Sequence, residues 1–124
     1  MVEDVALVWL KQAERDLKSA NNSYKSKDYY VTALLCQQAA EKALKYLYIC
    51  NNNKLIRTHD LVQLAKEIKA PLEIIKNCST LNPIYVEVRY PEDTDLPADK
   101  VDNKIALHLL KKTEEVIVWV RKQN

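Results

Sequence analysis

The chain has 124 residues, of which 48% are hydrophobic and 29% charged, a composition that fits one folded domain and gives no indication of disorder. No apolar run approaches the roughly 20 residues that a membrane-spanning helix needs, and the acidic start does not resemble a secretory signal. We therefore expect a single domain over residues 1–124, located in the cytoplasm and away from membranes. The net charge of +2 is small for a nucleic-acid binder, so any anion-binding site must be local.

Glycine and proline usage bears on the fold class. The sequence has no glycine, and its four prolines all lie in the second half. Tight β-hairpins usually need glycine or an Asn/Asp-Gly pair at the turn. We therefore predict an all-α protein, an up-and-down bundle of four or five helices with a kinked fourth helix.

The three cysteines, Cys36, Cys50 and Cys78, are odd in number and have no CxxC spacing. This pattern favours buried small hydrophobic side chains over disulfides or a zinc site. Two isolated histidines do not form a metal site either, so we expect neither a metal nor a cofactor.

The first helix is predicted from about Glu3 to Asn22, where the polar sequence "NNSYKSKD" indicates a loop. Apolar residues recur there at three- and four-residue steps, which is typical of a helix with one buried face. The residues of that face are Val5, Trp9, Leu10, Ala13, Leu17 and Ala20.

The second helix is predicted from an N-cap at Asp28 to Cys50, just before the triplet "NNN". The short connection indicates that the first two helices form an antiparallel hairpin. A third helix is predicted in "THDLVQLAKEI", capped by Thr58 or Asp60. Its predicted buried residues are Leu61, Leu64, Ala65 and Ile68.

The second half of the chain is less regular. Pro83 interrupts the fourth segment, which must kink or restart there, and "PEDTDLPADKVDN" reads as an exposed loop. The last helix is predicted from about Val101 to Lys122. Its predicted buried face comprises Val101, Ile105, Leu109, Thr113, Val116, Ile117 and Val120, with Leu107, Val118 and Trp119 off that face. The apolar surplus on the second and last helices predicts a homodimer.

The second helix, "YYVTALLCQQAAEKALKYLYIC", is apolar nearly all round but has polar residues at its centre. At about 100° per residue, Gln38, Glu41, Lys42 and Lys45 fall on one broad side. Two interpretations remain open. These residues are either the solvated strip of an ordinary amphipathic helix or part of a cleft in which the lysines meet phosphate.

Three further residues carry candidate chemistry. His59 precedes a helix start, where it can be a structural hydrogen-bonding group or a general acid-base. Arg89 either complements a helix C-terminus or, beside Tyr90, forms a phosphate fork next to a stacking ring. The sequence has no GxGxxG, GxxxxGK[ST] or HExxH motif, so dinucleotide, P-loop and zinc-protease functions have no support.

Several of these segments together resemble the HEPN family of small helical bundles. The similar segments are "WLKQAERDLKSA", "DYYVTALLCQQAAEKALKYLYI", "THDLVQL" and "RYP", in the family's order over almost the whole chain. The resemblance implies a dimerising all-α bundle that binds a nucleotide or RNA. It also implies a minimal nucleotidyltransferase as partner, in a toxin-antitoxin-like pair.

Many members of that family are metal-independent RNases with an Arg, four to six residues and then a His. In this chain only one residue separates Arg57 from His59, and "YPEDTDL" follows Arg89, so the nuclease motif is missing. The resemblance therefore favours a non-catalytic branch. It implies phosphate contacts for Lys42, Lys45 and Arg89, and polar or stacking contacts for Gln38, His59 and Tyr90. Glu41 is a further candidate residue of the same site.

Two other functions stay open at this stage. One is a divergent metal-independent RNase that uses His59 as acid-base and Arg89 as phosphate clamp. The other is a purely structural dimerising adaptor, whose apolar faces serve only assembly.

Overall fold

The structure, a computed structural model, describes residues 2–84 and 97–123, and the side chains of residues 4–84 and 98–123. This part of the chain forms five α-helices and a 3-10 turn and contains no strand, which confirms the predicted all-α fold. The elements are α1 (Val2–Lys25), α2 (Tyr29–Asn52), α3 (Leu61–Glu67), α4 (Leu72–Leu81), the 3-10 turn (Pro97–Lys100) and α5 (Asn103–Arg121). None of the helices described is long and apolar enough to cross a membrane.

The first two helices form the predicted antiparallel hairpin. Near the turn, the hydroxyl oxygens of Ser23 and Thr32 lie 2.7 Å apart, and farther along Asp16 meets Lys42. α1 packs mainly on α2, while α2 also packs on α3 and α5. The second helix is therefore the central element of the bundle.

Small residues spaced by heptads form the buried stripe of α1. Ala6, Ala13 and Ala20 are completely buried, which lets the backbone of a neighbouring helix approach closely. The prediction that Val5 belongs to this stripe is wrong, because Val5 is exposed and Ala6 takes the buried position. Ala6 lies seven residues, about two helical turns, before Ala13, so the two side chains point to the same buried face of α1.

α1 also runs one turn beyond its predicted end, to Lys25. Its polar residues do not break the helix, because their side chains bond back to carbonyls in the preceding turn. The amide Nδ2 of Asn21 donates to the Leu17 carbonyl at 3.0 Å, and Ser23 Oγ donates to the Ala20 carbonyl at 2.8 Å.

Three helices end in left-handed residues that are not glycine. Lys27, Asn53 and Lys69 have φ of 64°, 58° and 58° and follow α1, α2 and α3. Around Lys27 the Asp28 N–H bonds the Ser23 carbonyl at 2.8 Å, and around Lys69 the Ala70 N–H bonds the Ala65 carbonyl at 2.9 Å. These are the six-to-one bonds that close a helix C-terminus.

The observed N-terminal caps of the helices agree only in part with the caps predicted from the sequence. Asp60 caps α3 as predicted, accepting from the backbone N–H groups of Val62 and Gln63. Asp28 occupies the N-cap position of α2, but its side chain makes no capping hydrogen bond, so that part of the prediction is wrong. Asp102 caps α5 through the Ile105 N–H, which places the start of the last helix at Asn103 rather than Val101.

The buried residues of the later helices follow the predicted stripes with one exception. All four predicted residues of the third helix are buried, and so are six of the seven predicted for the last. Ile105 is exposed instead, and the next residue, Ala106, takes the buried position on the face of Leu109 and Leu110. α4 ends at Leu81, before Pro83, and most of the predicted continuation falls in residues 85–96, outside the described residues.

The cysteines are unpaired and mostly internal. Cys36 and Cys78 are buried and Cys50 is half-buried. Burial raises the pKa of both the Cys36 and the Cys78 thiol to about 12.

Candidate functional site: a polar cluster between the first two helices

No residue of α2 from Tyr29 to Cys50 is fully exposed. The polar residues at its centre are therefore enclosed to a large extent by the neighbouring helices. This excludes the interpretation that they form an ordinary solvated strip. Gln38 and Lys42 are half-buried at the edge, whereas Lys45 and the neighbouring Gln37 are buried.

Glu41 is the centre of a polar cluster between α1, α2 and the start of α3. The other members of this cluster are Trp9, Gln12, Asp16, Gln37, Gln38, Lys42, Lys45 and His59. Its Oε1 accepts a hydrogen bond from Gln37 at 3.0 Å, and its Oε2 lies 3.1 Å from the Lys45 ammonium and 3.0 Å from His59 Nδ1. The Glu41 side chain is 14% exposed and that of Lys45 only 6%, whereas that of His59 is 52% exposed. His59 is thus the solvent-facing member of an otherwise enclosed group.

The pKa of Glu41 reflects two opposing effects. Burial raises it, because a charged carboxylate loses hydration, but hydrogen bonds from His59, Gln37 and Lys45 and the charge of Lys45 lower it. The lowering effects are larger together, so the pKa of Glu41 falls below its ordinary value. An ionised carboxylate has no proton to give, so His59 Nδ1 must donate in this contact.

Lys45 has a second interaction on its other side. Its ammonium nitrogen lies 5.7 Å from the ring centroid of Trp9 on α1, within the range of a cation–π contact. With Glu41 and Trp9 as neighbours, this buried lysine keeps partners for its charge. Its geometry favours holding Glu41 in place over reaching a ligand in solvent.

Lys42 points toward α1 instead. Its ammonium group forms an ion pair with Asp16 and also donates to Gln38 Oε1 at 3.4 Å. Asp16 Oδ1 accepts a further hydrogen bond from Gln12 at 2.9 Å. Two contacts join residues one turn apart within α2, Gln38 with Lys42 and Glu41 with Lys45.

Four members of the cluster were missed by sequence reasoning: Trp9, Gln12, Asp16 and Gln37. Asp16 carries a signal that could have found it, because it lies on the buried side of the first helix between Ala13 and Ala20. A carboxylate in that position needs a buried cation as partner. Gln37 carries no such signal, since only the three-dimensional packing places it inside.

His59 is positioned by the cap of the third helix. It directly precedes Asp60, whose carboxylate also accepts a hydrogen bond from Asn82 Nδ2 at 2.8 Å. That bond is the largest cause of the lowered pKa of Asp60, followed by the backbone N–H groups of Gln63 and Val62. The cap thus holds His59 against α2. Arg89 and Tyr90, the other predicted members, lie outside the described residues.

Two surface concavities lie elsewhere in the described chain. A groove of about 540 Å³ lies between α4 and α5, lined by residues such as Ile74, Val118 and Trp119. A more polar concavity of about 510 Å³ lies on α1, lined by Val8, Lys11, Gln12, Arg15 and Ser19. Neither lining includes a site residue predicted from the sequence, although Gln12 also belongs to the polar cluster. Within residues 2–84 and 97–123 no three His, Cys, Asp or Glu side chains are grouped to hold a metal ion.

The helical hairpin with its buried polar centre, the capped third helix and the long final helix define an all-α bundle of the HEPN type. The HEPN domain model matches residues 6–123. Because this match spans nearly the whole chain, the protein belongs to the HEPN domain family, which confirms the resemblance seen in the sequence.

Solved structures agree with this assignment. TT1696 from Thermus thermophilus superposes with a TM-score of 0.89 at 25% identity, covering 96% of this chain and 98% of its own. ST0689, an archaeal HEPN homologue, gives 0.82 at 28% identity, with 95% and 96% covered. A HEPN domain protein from Thermotoga maritima gives 0.73 at 19% identity, with 92% and 94% covered, and shows the shared fold. A search of curated proteins found no match.

Proposed function

We propose that this HEPN protein is a non-catalytic module that binds a nucleotide or nucleic acid at the His59 end of the polar cluster. The observation that carries the proposal is the contact of the half-exposed His59 with the largely buried Glu41. A side chain that is accessible to solvent yet anchored from behind is preorganised for a ligand.

The roles within this proposed site follow from burial. Lys45 and Gln37 hold Glu41, which holds His59. Gln38 and Lys42, at the half-buried edge, are the α2 residues that a ligand can reach. Arg89 and Tyr90 stay in the proposal as the phosphate contact and the stacking ring.

Calorimetric titration of ATP, GTP and a short RNA tests the site with a matched pair of variants. His59→Ala is expected to weaken binding about tenfold or more, equivalent to about 1.4 kcal/mol. His108→Ala removes the other histidine, exposed on α5 and away from the cluster, and should bind like the wild type. Equal binding by both variants, or none by the wild type, rejects the site.

The proposed assembly is a homodimer that acts with a minimal nucleotidyltransferase in a toxin-antitoxin-like pair. It is supported by membership of the HEPN family and by the exposed apolar side chains of Ile105, Leu107 and Val118 on α5. Light scattering on the purified protein measures the oligomeric state, and a mass of one chain at all concentrations rejects the dimer. Purification of the native complex tests for the nucleotidyltransferase partner.

The contact between His59 and Glu41 also favours one alternative, a metal-independent RNase. A carboxylate that accepts from Nδ1 fixes the tautomer of a neutral imidazole, leaving Nε2 as its basic nitrogen. Incubation with total RNA in EDTA tests this function. Cleavage that is lost in His59→Ala and kept in His108→Ala supports it, and intact RNA with the wild type counts against it.

A further inference from the structure

A row of positive charges runs along the outer face of α1. Lys11, Arg15 and Lys18 are all exposed and follow one another at four and three residues. At about 100° and 1.5 Å per residue, they fall within about 60° of one another and span about 10 Å of the helix. We call these three residues the cation row.

The acids of the same helix do not neutralise the cation row. α1 has two acids among the residues of the cation row, Glu14 and Asp16, and two at its start, Glu3 and Asp4, at least seven residues before Lys11. Glu14 accepts from Arg121 Nε at 2.8 Å, and Asp16 is paired with Lys42. Within the described part of the chain no member of the cation row takes part in an ion pair.

Such a row is unfavourable by itself. Like charges one turn apart on a helix repel each other and destabilise it. Lys11 and Arg15 form such a pair, and both line the concavity on α1 together with the hydrogen-bonding side chains of Gln12 and Ser19. An anion bound there would relieve the repulsion and gain hydrogen bonds.

We propose that the cation row binds the phosphate backbone of a single-stranded RNA. This inference deepens the proposed function and rests on it for the class of ligand. The main phosphate contacts are then made by the cation row rather than by Lys42 and Lys45. Those two lysines already form ion pairs with Asp16 and Glu41.

The chemistry of the surface favours a nucleic acid over an acidic protein. Protein interfaces have an apolar, aromatic-rich centre, whereas nucleic-acid interfaces are more polar and more positive. Val8 is the one apolar side chain lining the concavity on α1, and the others are polar or charged. The planar guanidinium of Arg15 also suits two phosphate oxygens at once. Since no aromatic ring lines this concavity, binding should depend little on base sequence.

Two triple variants with the same change in charge test the cation row. The first replaces it with glutamine: Lys11→Gln, Arg15→Gln and Lys18→Gln. The control makes the same replacement at three exposed lysines scattered over the fold: Lys54→Gln, Lys76→Gln and Lys104→Gln. Circular dichroism verifies that both remain folded. Fluorescence anisotropy then measures the affinity for labelled oligo-U and oligo-A RNA of about 12 nucleotides, from about 50 to about 200 mM salt.

The expected result is specific to the cation row. Its variant should lose about tenfold or more in affinity, and the slope of log K against log salt should shrink by about 2, at about 0.7 per phosphate contact. The control variant should stay within about threefold of the wild type, and both RNAs should bind alike. An equal loss in the control, an unchanged slope, absence of RNA binding by the wild type, or equal competition by polyglutamate overturns the proposal.

The outcome also separates this inference from the His59 site. If His59→Ala abolishes nucleotide binding while the cation-row variant binds RNA normally, only the cation row is rejected. If the cation-row variant loses RNA and His59→Ala binds nucleotide like the wild type, only the His59 site is rejected.

Discussion

The Lys42 ammonium on α2 and the Asp16 carboxylate on α1 form an ion pair across the helical hairpin, with 24% and 10% of their side chains exposed. The pair lies near the middle of both helices. A shift of one helix along the other would therefore separate the two charges and change the packing contacts between the helices. Replacing such a pair with apolar residues is often nearly neutral, but breaking it leaves a charge without a partner. We infer that its main effect is to fix the register of α1 against α2.

A double-mutant cycle on this pair should show strong coupling. Lys42→Met is expected to cost about 1 to 3 kcal/mol of unfolding free energy, because the Asp16 carboxylate loses its ion-pair partner and has little access to solvent. Lys42→Met with Asp16→Asn should cost less than the sum of the single variants. Urea unfolding followed by circular dichroism measures all four proteins, and additive costs would show that the pair is not coupled.

The stability of the protein should fall in acid in part because of Glu41. Its pKa is lower in the folded state than its ordinary value of 4.5, so its contribution is full above that value and is lost as the pH falls through the folded-state pKa. Glu41→Gln should therefore flatten the decline in unfolding free energy below about pH 5. Glu67→Gln, at an exposed glutamate of α3, is the control, and the same slope in both variants would contradict the assignment.

The cap of the third helix offers a comparison between two aspartates in the same position. Asp60→Ala should cost about 1 kcal/mol, because its carboxylate accepts from two backbone N–H groups of α3. Asp28→Ala should change stability by less than about 0.5 kcal/mol, since that side chain makes no capping bond. Chemical denaturation of the two variants checks the difference, and equal costs would refute the capping geometry.

Thiol modification should distinguish the three cysteines. Burial raises the pKa of Cys36 and Cys78 to about 12, so in the native protein near pH 8 they should react with iodoacetamide far more slowly than Cys50. Mass spectrometry of digested samples measures each site, and urea should make all three reactive. Fast labelling of Cys36 in the folded protein would contradict the packing of α2.

Most of the fold could be predicted because it depends on periodicity and on a missing residue type. Without glycine the sequence excludes tight hairpins, and the stripes of the third and last helices carry the period of an α-helix. The errors occur at ends. Val5 and Ile105 match a buried stripe by spacing, but in each helix the next residue, Ala6 or Ala106, takes the buried position.

The candidate site was less predictable for a different reason. Contacts within one helix, such as Glu41 with Lys45, follow from one-turn spacing alone. Contacts between helices, such as Lys42 with Asp16, depend on the rotation of α1 about its axis, which Ala6 and Ala13 set through packing. Sequence reasoning therefore placed the lysines correctly on α2 with their one-turn spacing, but it missed Asp16, the partner of Lys42 on α1.

The lysines with left-handed backbone angles at two helix ends are positions where a substitution can increase the thermal stability of the protein. Lys27 and Lys69 adopt backbone angles that cost a residue with a Cβ atom about 1 kcal/mol relative to glycine. Lys27→Gly and Lys69→Gly should each raise the thermal midpoint by about 4 °C, as calorimetry would measure, whereas glycine in mid-helix should lower it. Because this chain ends its helices without glycine, its heat resistance can be raised by single substitutions that leave the packed core unchanged.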